Sequence, residues 1–369
     1  MSITIERGTL EGSEMTSNNN SSRFASLDGA RAVSIGLVVL SHMQGSLLLR
    51  LDPDYGSRYG RYLDFGNLGV RVFLVISGFL ITSLLLRELA RTGSISLRQF
   101  YLRRFFRIVP AYWTYLAAIA ILAPLGLATA DGRRLTEAFF YLGDYRWLGG
   151  ALGHTWSLSV EEQFYLLWAP LIVLLGIRYV HFACLALLLI GPTFRLLSDA
   201  GFWPSSSKYA FEAVCDALAS GCALALLRNA LWAMPAYRRA VKSEIPWILA
   251  FIALGLMTQF VPYWVRDLFG IPLLNVSIAM ILDRYMRSPD LRVGRLLNAP
   301  LAVWFGTLSY SIYLWQQVFV WANIRGPWKV LLILACASAS YYLVERPFLR
   351  LRTRFRPEAA APSRLAAAA

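Results

Sequence analysis

The sequence predicts an all-α integral membrane protein, and its composition and charge pattern both support this fold class. Apolar residues make up 57% of the 369 residues and charged residues only 16%, whereas soluble domains carry about 25% charged residues. The apolar residues form runs of about 20, the length that an α-helix needs to cross a bilayer. The excess of basic residues, which gives a net charge of +14, lies in short clusters between those runs, as is typical of membrane proteins.

Ten apolar runs predict a bundle of about ten transmembrane helices. Lys and Arg residues in the connecting segments fall about two to one on the side of the N-terminus, so both termini are predicted to be cytoplasmic. Residues 1–25 are predicted to be a disordered cytoplasmic tail, 26–350 the transmembrane domain, and 351–369 a basic and then Ala-rich cytoplasmic tail. The predicted spans are 30–50, 66–86, 108–128, 152–176, 179–198, 209–227, 245–262, 268–285, 299–321 and 328–345.

Composition also argues against several classes of function. Nucleic acid binding is not expected, because the basic residues separate apolar runs and do not form one patch. No metal site and no permanently bound cofactor is predicted, since cysteines and histidines lack the spacing of metal ligands. The cysteines, interpreted as small buried residues, are Cys184, Cys215, Cys222 and Cys336, and the histidines are His42, His154 and His181.

Two ionisable residues in the first span are the clearest functional candidates, because a charge within a span is costly. Arg31 and His42 are eleven residues apart, which places them on the same helix face within about 20° and about 16 Å apart along the axis. They therefore mark two depths along one wall of a cavity. Histidine is the side chain best suited to take a proton from a hydroxyl near neutral pH. The alternative is that His42 lies at the outer interface, where water satisfies it.

Arginines in the second and third spans allow two interpretations each. Arg71 either faces a functional cavity or extends to the outer interface. Arg104 and Arg107 are three residues apart, so their guanidinium groups share a helix face. The pair either binds a phosphate bidentately or serves only to set the topology.

Two adjacent carboxylates, Glu161 and Glu162, begin the fourth span within the segment TWSLSVEEQFYLLWAP. Neighbouring residues on a helix point in different directions. One of the two is therefore expected to point into the bundle, where it orients a His or an Arg.

Taken in order, six segments resemble the acyltransferase-3 family of membrane-bound O-acyltransferases, over residues 26–350. The first contains the Arg-x10-His motif, which Arg31 and His42 match. The segments are LDGARAVSIGLVVLSH, GVRVFLVISGFLIT, FYLRRFFRIVP, TWSLSVEEQFYLLWAP, SYSIYLW and ERPF. Their order and spacing carry the resemblance, since most of them are weak motifs singly.

The resemblance implies an acyl-CoA donor, usually acetyl-CoA, on the cytoplasmic side of a bacterial inner membrane. The implied acceptor is a hydroxyl of a glycan or glycolipid such as lipopolysaccharide or exopolysaccharide, although some relatives acylate a macrolide. His42 matches the residue regarded as catalytic, and it is expected to act as general base or as transient acyl carrier. Arg31 and Arg71 are expected to position the thioester or to stabilise charge on its oxygen. Glu161 or Glu162 would order this network, and CoA phosphates would bind Arg103, Arg104 and Arg107.

The chain departs from the family pattern at two positions. Many members carry Asp where this chain has Arg71, and many carry His where it has Gln316, so an imidazole role cannot apply there. No hydrolase-like domain follows the last span, so acceptor handling is expected in the membrane part or in a partner protein. The rival hypothesis is a transporter or flippase of a lipid-linked glycan, which intramembrane Arg and Glu also suit. The lack of internal repeats and the Arg-x10-His motif both count against it.

Overall fold

The computed structural model describes residues 24, 26–51, 65–203, 208–257, 261–321 and 328–352. Over these ranges the chain forms helices and no β-strand. A 3-10 turn, Gly150–Thr155, precedes the fifth helix. The helices are α1 (Leu27–Leu51), α2 (Phe65–Thr92), α3 (Leu97–Leu122), α4 (Gly132–Phe139), α5 (Trp156–Asp199), α6 (Phe211–Ala233), α7 (Pro235–Lys242), α8 (Ile245–Leu256), α9 (Tyr263–Arg287), α10 (Arg292–Leu297), α11 (Pro300–Trp321) and α12 (Trp328–Leu351).

Six of the helices in the described part are long and apolar enough to cross a membrane: α2, α3, α5, α6, α9 and α12. The predicted all-α class is therefore confirmed, and the chain is a multi-pass membrane protein. The number of spans, about ten, and the cytoplasmic location of both termini stay predictions. The two predicted tails lie outside the described residues, apart from residue 24 and residues 351–352.

Three helices differ from the predicted spans. Helix α3 begins eleven residues before the predicted 108–128 span, because the Ser96 side chain caps it by accepting a hydrogen bond from the Gln99 backbone N–H at 3.4 Å. Predicted spans 152–176 and 179–198 form one long element, α5, which is broken at Gly176. The φ of 65° at Gly176 is readily adopted only by a residue without a Cβ atom. Helix α8 has 12 residues, so it is too short to cross a bilayer alone.

Glycines allow the central helices to pack closely. Helix α2 packs against α1 and α6, and α1 also packs against α11. A Cβ atom at Gly78 of α2 would lie 1.9 Å from the carbonyl oxygen of Leu218 in α6, and one at Gly306 of α11 would lie 1.8 Å from that of Asp28 in α1. Such small residues let backbones approach without an intervening side chain. The central helices therefore hold α1, with Arg31 and His42, in a fixed position.

Substituting Gly78 with Leu is expected to destabilise the bundle by more than about 3 kcal/mol, because the new side chain has no space against α6. Gly36 provides a matched control, since it is exposed and has no heavy atom within 4 Å of an added Cβ. Thermal unfolding of the detergent-purified variants, followed by fluorescence, checks this expectation. Equal melting temperatures for Gly78→Leu and Gly36→Leu would show that the α2–α6 contact is looser than described.

Candidate active site

A small cavity with a charged lining lies between α1, α2, α3, α5 and α11. Its lining includes five residues that the sequence analysis selected: Arg31, Arg104, Arg107, Glu161 and Glu162. The cavity volume is about 100 Å³, and a water molecule in the liquid occupies about 30 Å³. There is therefore room for a few waters or a small acyl group, and none for a nucleotide unless the helices move apart. This charged cavity is called the arginine cavity below.

Two of its three arginines are held by carboxylates. Nη1 of Arg31 lies 3.4 Å from Oδ1 of Asp28, and Nη1 of Arg107 lies 3.1 Å from Oε1 of Glu345. Glu345 is 1% exposed, and its other oxygen accepts a hydrogen bond from Ser311 Oγ at 3.1 Å. It lies on a π-helical turn of α12, a distortion that is frequent at functional sites.

Arg104 is held differently. Its guanidinium lies over the rings of Phe100 and Tyr165, at 5.8 and 5.6 Å from their centroids, and it forms no ion pair with any residue that the structure describes. A guanidinium has five N–H donors in a fixed plane. Arg104 therefore has hydrogen-bonding capacity available for an anionic group of a ligand.

Both carboxylates of the glutamate pair line the arginine cavity. Glu161 Oε2 accepts a hydrogen bond from the Tyr165 hydroxyl at 3.0 Å, and that hydroxyl lies 2.7 Å from Ser77 Oγ. Glu162 Oε1 is buried without a hydrogen-bond partner in the described part of the chain. The expectation that only one of the two faces the bundle interior is thus corrected. Side chains of α1, α2, α3 and α11 line the same cavity as both glutamates.

Three predicted site residues lie outside the arginine cavity: His42, described below, and Arg71 and Arg103. Arg71 is 4% exposed and therefore does not extend to the interface. Its Nε donates to Asn67 Oδ1 at 2.8 Å, and its Nη1 lies 3.9 Å from Asp216 Oδ1. Nη2 of Arg103 lies 2.5 Å from Glu88 Oε2. The direct contact with the donor predicted for Arg71 and Arg103 is not supported by these positions.

Sequence reasoning missed the ion pair that Arg71 approaches. Arg195 of α5 binds Asp216 of α6 through two parallel contacts, at 3.1 and 2.9 Å, and both side chains are buried. Removing one partner of such a pair is strongly destabilising, because it leaves an uncompensated buried charge. This group therefore joins α2, α5 and α6 beside the site. The only sequence signal was a single Arg and a single Asp within apolar runs.

His42 lies beyond the far end of the arginine cavity. Its Nδ1 is 3.0 Å from Oε1 of Gln316, which is fully buried. Gln316 follows Tyr313, a cavity-lining residue of α11, by one helical turn. An amide oxygen only accepts, so in the neutral imidazole this contact places the proton on Nδ1 and leaves the Nε2 lone pair free. Gln316 thus orients the imidazole of His42 in this chain.

A second histidine, His154, lies beside this group and was not selected from the sequence. It is 4% exposed and interacts electrostatically with His42. Its ring packs edge-on against Tyr115 and Tyr313, with centroid distances of 5.6 and 5.1 Å. The Tyr313 hydroxyl donates to the backbone oxygen of His154 at 2.6 Å and lies 2.7 Å from Ser157 Oγ. Tyr313 and Ser157, which line the arginine cavity, therefore connect it to His154.

The loop before His154 is anchored by a buried carboxyl. Asp144 is 1% exposed, and its Oδ1 accepts a hydrogen bond from Gln163 Nε2 at 3.0 Å. Burial raises the pKa of Asp144 to about 6, since it disfavours the charged form. The hydrogen bond fixes the loop against α5 at Gln163, the last residue of the TWSLSVEEQ segment.

The site has cationic groups, the arginines of the cavity, at one end of α1 and a proton acceptor, His42, farther along the same helix. Arg31 and His42 are separated by about 16 Å along α1, and Tyr313 and Ser157 line the arginine cavity together with Arg31. An anionic ligand group suits the arginine end, and a hydroxyl that loses a proton suits Nε2 of His42. This combination fits group transfer to an alcohol.

Comparison with known proteins gives the same indication. The chain is 28% identical over 359 residues to the peptidoglycan O-acetyltransferase OatA of Listeria monocytogenes, covering 87% of this chain and 55% of the relative. It is 27% identical over 366 residues to the putative peptidoglycan O-acetyltransferase YrhL of Bacillus subtilis, covering 87% and 54%. A putative O-acetyltransferase of Staphylococcus aureus strain COL is 27% identical over 365 residues, covering 87% and 56%.

The chain spans about half the length of these curated relatives. No solved structure matches it. The acyltransferase-3 family model, described as an acyltransferase domain, matches residues 24–340. This match covers most of the chain and includes all eight predicted site residues. The protein therefore belongs to the acyltransferase-3 family.

Proposed function

We propose that this chain is a membrane O-acyltransferase that moves an acyl group, in the simplest case acetyl, from acyl-CoA to a glycan hydroxyl. The observation that carries the proposal is His42, whose Nδ1 is bound by Gln316 at 3.0 Å one helical turn beyond the arginine cavity. Relatives named as O-acetyltransferases over the same region support it. The bacterial inner membrane is the proposed location.

The proposed acceptor is a glycan of the cell envelope. Lipopolysaccharide and exopolysaccharide are the acceptors expected from the sequence, and the names of two relatives add peptidoglycan to these. A macrolide is the small-molecule alternative. All of these offer a secondary or primary hydroxyl, so the chemistry at His42 is the same.

In the proposed reaction the acceptor oxygen attacks the thioester carbonyl carbon while Nε2 of His42 takes the hydroxyl proton. The C–S bond then breaks, and the CoA thiolate leaves and is protonated. In the alternative route, Nε2 first accepts the acyl group itself and then passes it to the hydroxyl. Arg104, which has no ion-pair partner among the described residues, and Arg107 bind the anionic part of the donor. The arginine cavity, at about 100 Å³, has no room for a nucleotide, so in this proposal the helices around it move apart when the donor binds.

The test of the proposal is acyl transfer in proteoliposomes that contain the purified protein, labelled acetyl-CoA and each class of glycan in turn. Mass spectrometry of envelope glycans and secreted metabolites, with and without the gene, identifies the acceptor in cells. We expect one glycan class to gain acetyl groups only when the protein is present. Movement of unmodified glycan across the bilayer without any acyl transfer would instead establish the rival transporter function.

The proposed topology makes a separate prediction. Reporter fusions after residues 95, 235 and 290 are expected to be cytoplasmic, and fusions near 57, 140 and 265 to be outside, because basic residues are concentrated in the first set of segments. Paired phosphatase and fluorescent-protein reporters measure the side at each position. A cytoplasmic signal from the fusion at 140 would mean that the spans are miscounted.

A further inference from the structure

A second cavity, of about 390 Å³, lies between α1, α2, α8, α9 and α10 and is almost entirely apolar. Ligand pockets in proteins typically have volumes of about 300–1,000 Å³. Four α1 residues line it, Leu27, Ala30, Val33 and Leu37, and the centre of the helix face that they form is roughly 100° from Arg31. This cavity, called the apolar groove below, is therefore separate from the arginine cavity.

The depth of the apolar groove corresponds to one leaflet of a bilayer. Along α9 its lining extends from Leu274 to Tyr285, which is about 16 Å at 1.5 Å per residue. The hydrocarbon core of a bilayer is about 30 Å thick. A groove of this depth in a membrane protein matches a single lipid acyl chain.

One end of the apolar groove is close to helix α7. Trp247 and Tyr285 both line the groove, and the Trp247 indole N–H donates to the Tyr285 hydroxyl at 3.3 Å. The neighbouring residue, Arg284, donates to the backbone oxygen of Ser243, which directly follows the last residue of α7. The end of α7 therefore lies about one helical turn from the groove.

This end carries exposed basic residues on two short helices. On α7, Arg238, Arg239 and Lys242 line one surface depression, and none of them forms an ion pair within the described part of the chain. On α10, Val293 and Leu297 line the apolar groove, and the exposed Arg292 and Arg295 lie on the same short helix.

Nearby acidic groups do not balance this charge. Glu244 is bound by Arg284 at 3.0 Å, and Asp283 is bound by Arg228 and Arg287 at 2.7 and 2.9 Å. Asp290 is exposed beside α10. The mouth of the groove therefore keeps an excess of positive charge.

We propose that the apolar groove and the basic residues of α7 form a binding site for an anionic phospholipid of the bilayer. One acyl chain lies in the groove, and the phosphate group binds Arg238, Arg239 and Lys242. Basic clusters at the end of membrane helices attract anionic lipids, whereas a zwitterionic lipid offers no net charge to them. The site is independent of the proposed acyl transfer, because it lies on another face of α1.

The test is thermal unfolding of the purified full-length chain in a nonionic detergent, titrated with phosphatidylglycerol, phosphatidylcholine or inorganic phosphate. We expect phosphatidylglycerol to raise the melting temperature most, since a ligand that binds only the folded state stabilises it. Inorganic phosphate should have no effect, because it cannot occupy the groove. The proposal would be overturned if the two lipids raised the melting temperature equally, or if phosphate alone raised it as much as phosphatidylglycerol. This outcome needs only the unmodified protein.

Two variants separate the headgroup contact from the chain contact. Replacing Arg238, Arg239 and Lys242 together by Gln should weaken phosphatidylglycerol binding roughly a hundredfold, at roughly fivefold per basic residue. Ala250→Trp fills the groove and should abolish the response without changing charge. The matched control replaces the exposed Arg133 and Arg134 of α4 by Gln and should keep it. An unchanged response in the triple variant, or the same loss in the α4 control, would contradict the proposal.

Discussion

Replacing His42 with Ala is expected to lower acyl transfer by about 10²–10⁴-fold, the usual contribution of a general base, or to abolish it if His42 carries the acyl group. Expression and melting temperature should remain unchanged, because the side chain is only half-buried. Transfer from labelled acetyl-CoA in proteoliposomes measures the effect. His181→Ala is the matched control, since His181 is exposed on α5 and lines neither cavity. Wild-type product from the His42→Ala protein would remove the catalytic assignment.

Substitutions of Gln316 test whether this side chain fixes the tautomer of His42 or only packs against it. Gln316→Leu keeps the size of the side chain but removes the acceptor for Nδ1–H, so we expect roughly a 10–100-fold loss of kcat. Gln316→Glu keeps an acceptor and adds a charge that stabilises the imidazolium. Its activity should persist, with the acidic limb of the pH–rate profile moved upward by about one unit or more. A Leu variant as active as the wild type would show that the 3.0 Å contact has no role in the reaction.

The sequence predicted those features of the site that depend on spacing within one helix. A difference of eleven positions between Arg31 and His42 placed both on one helix face, and a difference of three between Arg104 and Arg107 placed both side chains at the same cavity. Tertiary contacts could not be predicted in this way. Gln316 is 274 residues from its partner His42, and a glutamine in an apolar run gives no sign of which helix it will meet.

The same limit explains the arginines that proved to lie elsewhere. Arg71 and Arg103 have the same local features as Arg31 and Arg104, namely a cation within or beside an apolar run. In the structure Arg71 lies near Asp216 of α6, and Arg103 is paired with Glu88 of α2. The sequence does not show that these residues of different helices come together. The all-α class followed from composition, since lipid requires every backbone hydrogen bond to be satisfied within a helix or barrel. The break at Gly176 was visible only as one glycine among many.

Arg104→Lys is expected to raise the KM for acyl-CoA by roughly tenfold to a hundredfold, with kcat changing less. This pattern is expected when the lost contact binds the donor equally well in the ground state and in the transition state. The physical reason is that losing a charge-assisted hydrogen bond costs ~1.5–3 kcal/mol, and Lys lacks the planar fork that binds phosphate bidentately. Arg104 should be the most sensitive of the three arginines, because it forms no ion pair with a residue in the described part of the chain. The measurement is acyl transfer in membranes, titrated against donor concentration.

Arg107 and Arg103 give graded controls for this experiment. Arg107→Lys should raise the KM less, because a lysine at this position can still pair with Glu345, which now lies 3.1 Å from the guanidinium. Arg103→Lys should leave the KM unchanged, since Arg103 binds Glu88 and does not line the arginine cavity. All three substitutions keep the positive charge, so topology and insertion should be normal in each.

If Arg104→Lys has the kinetics of the wild type, the arginine cavity does not bind the donor, and these arginines serve only to set topology. If Arg103→Lys raises the KM as much as Arg104→Lys, the donor binds at the start of α3 outside the cavity.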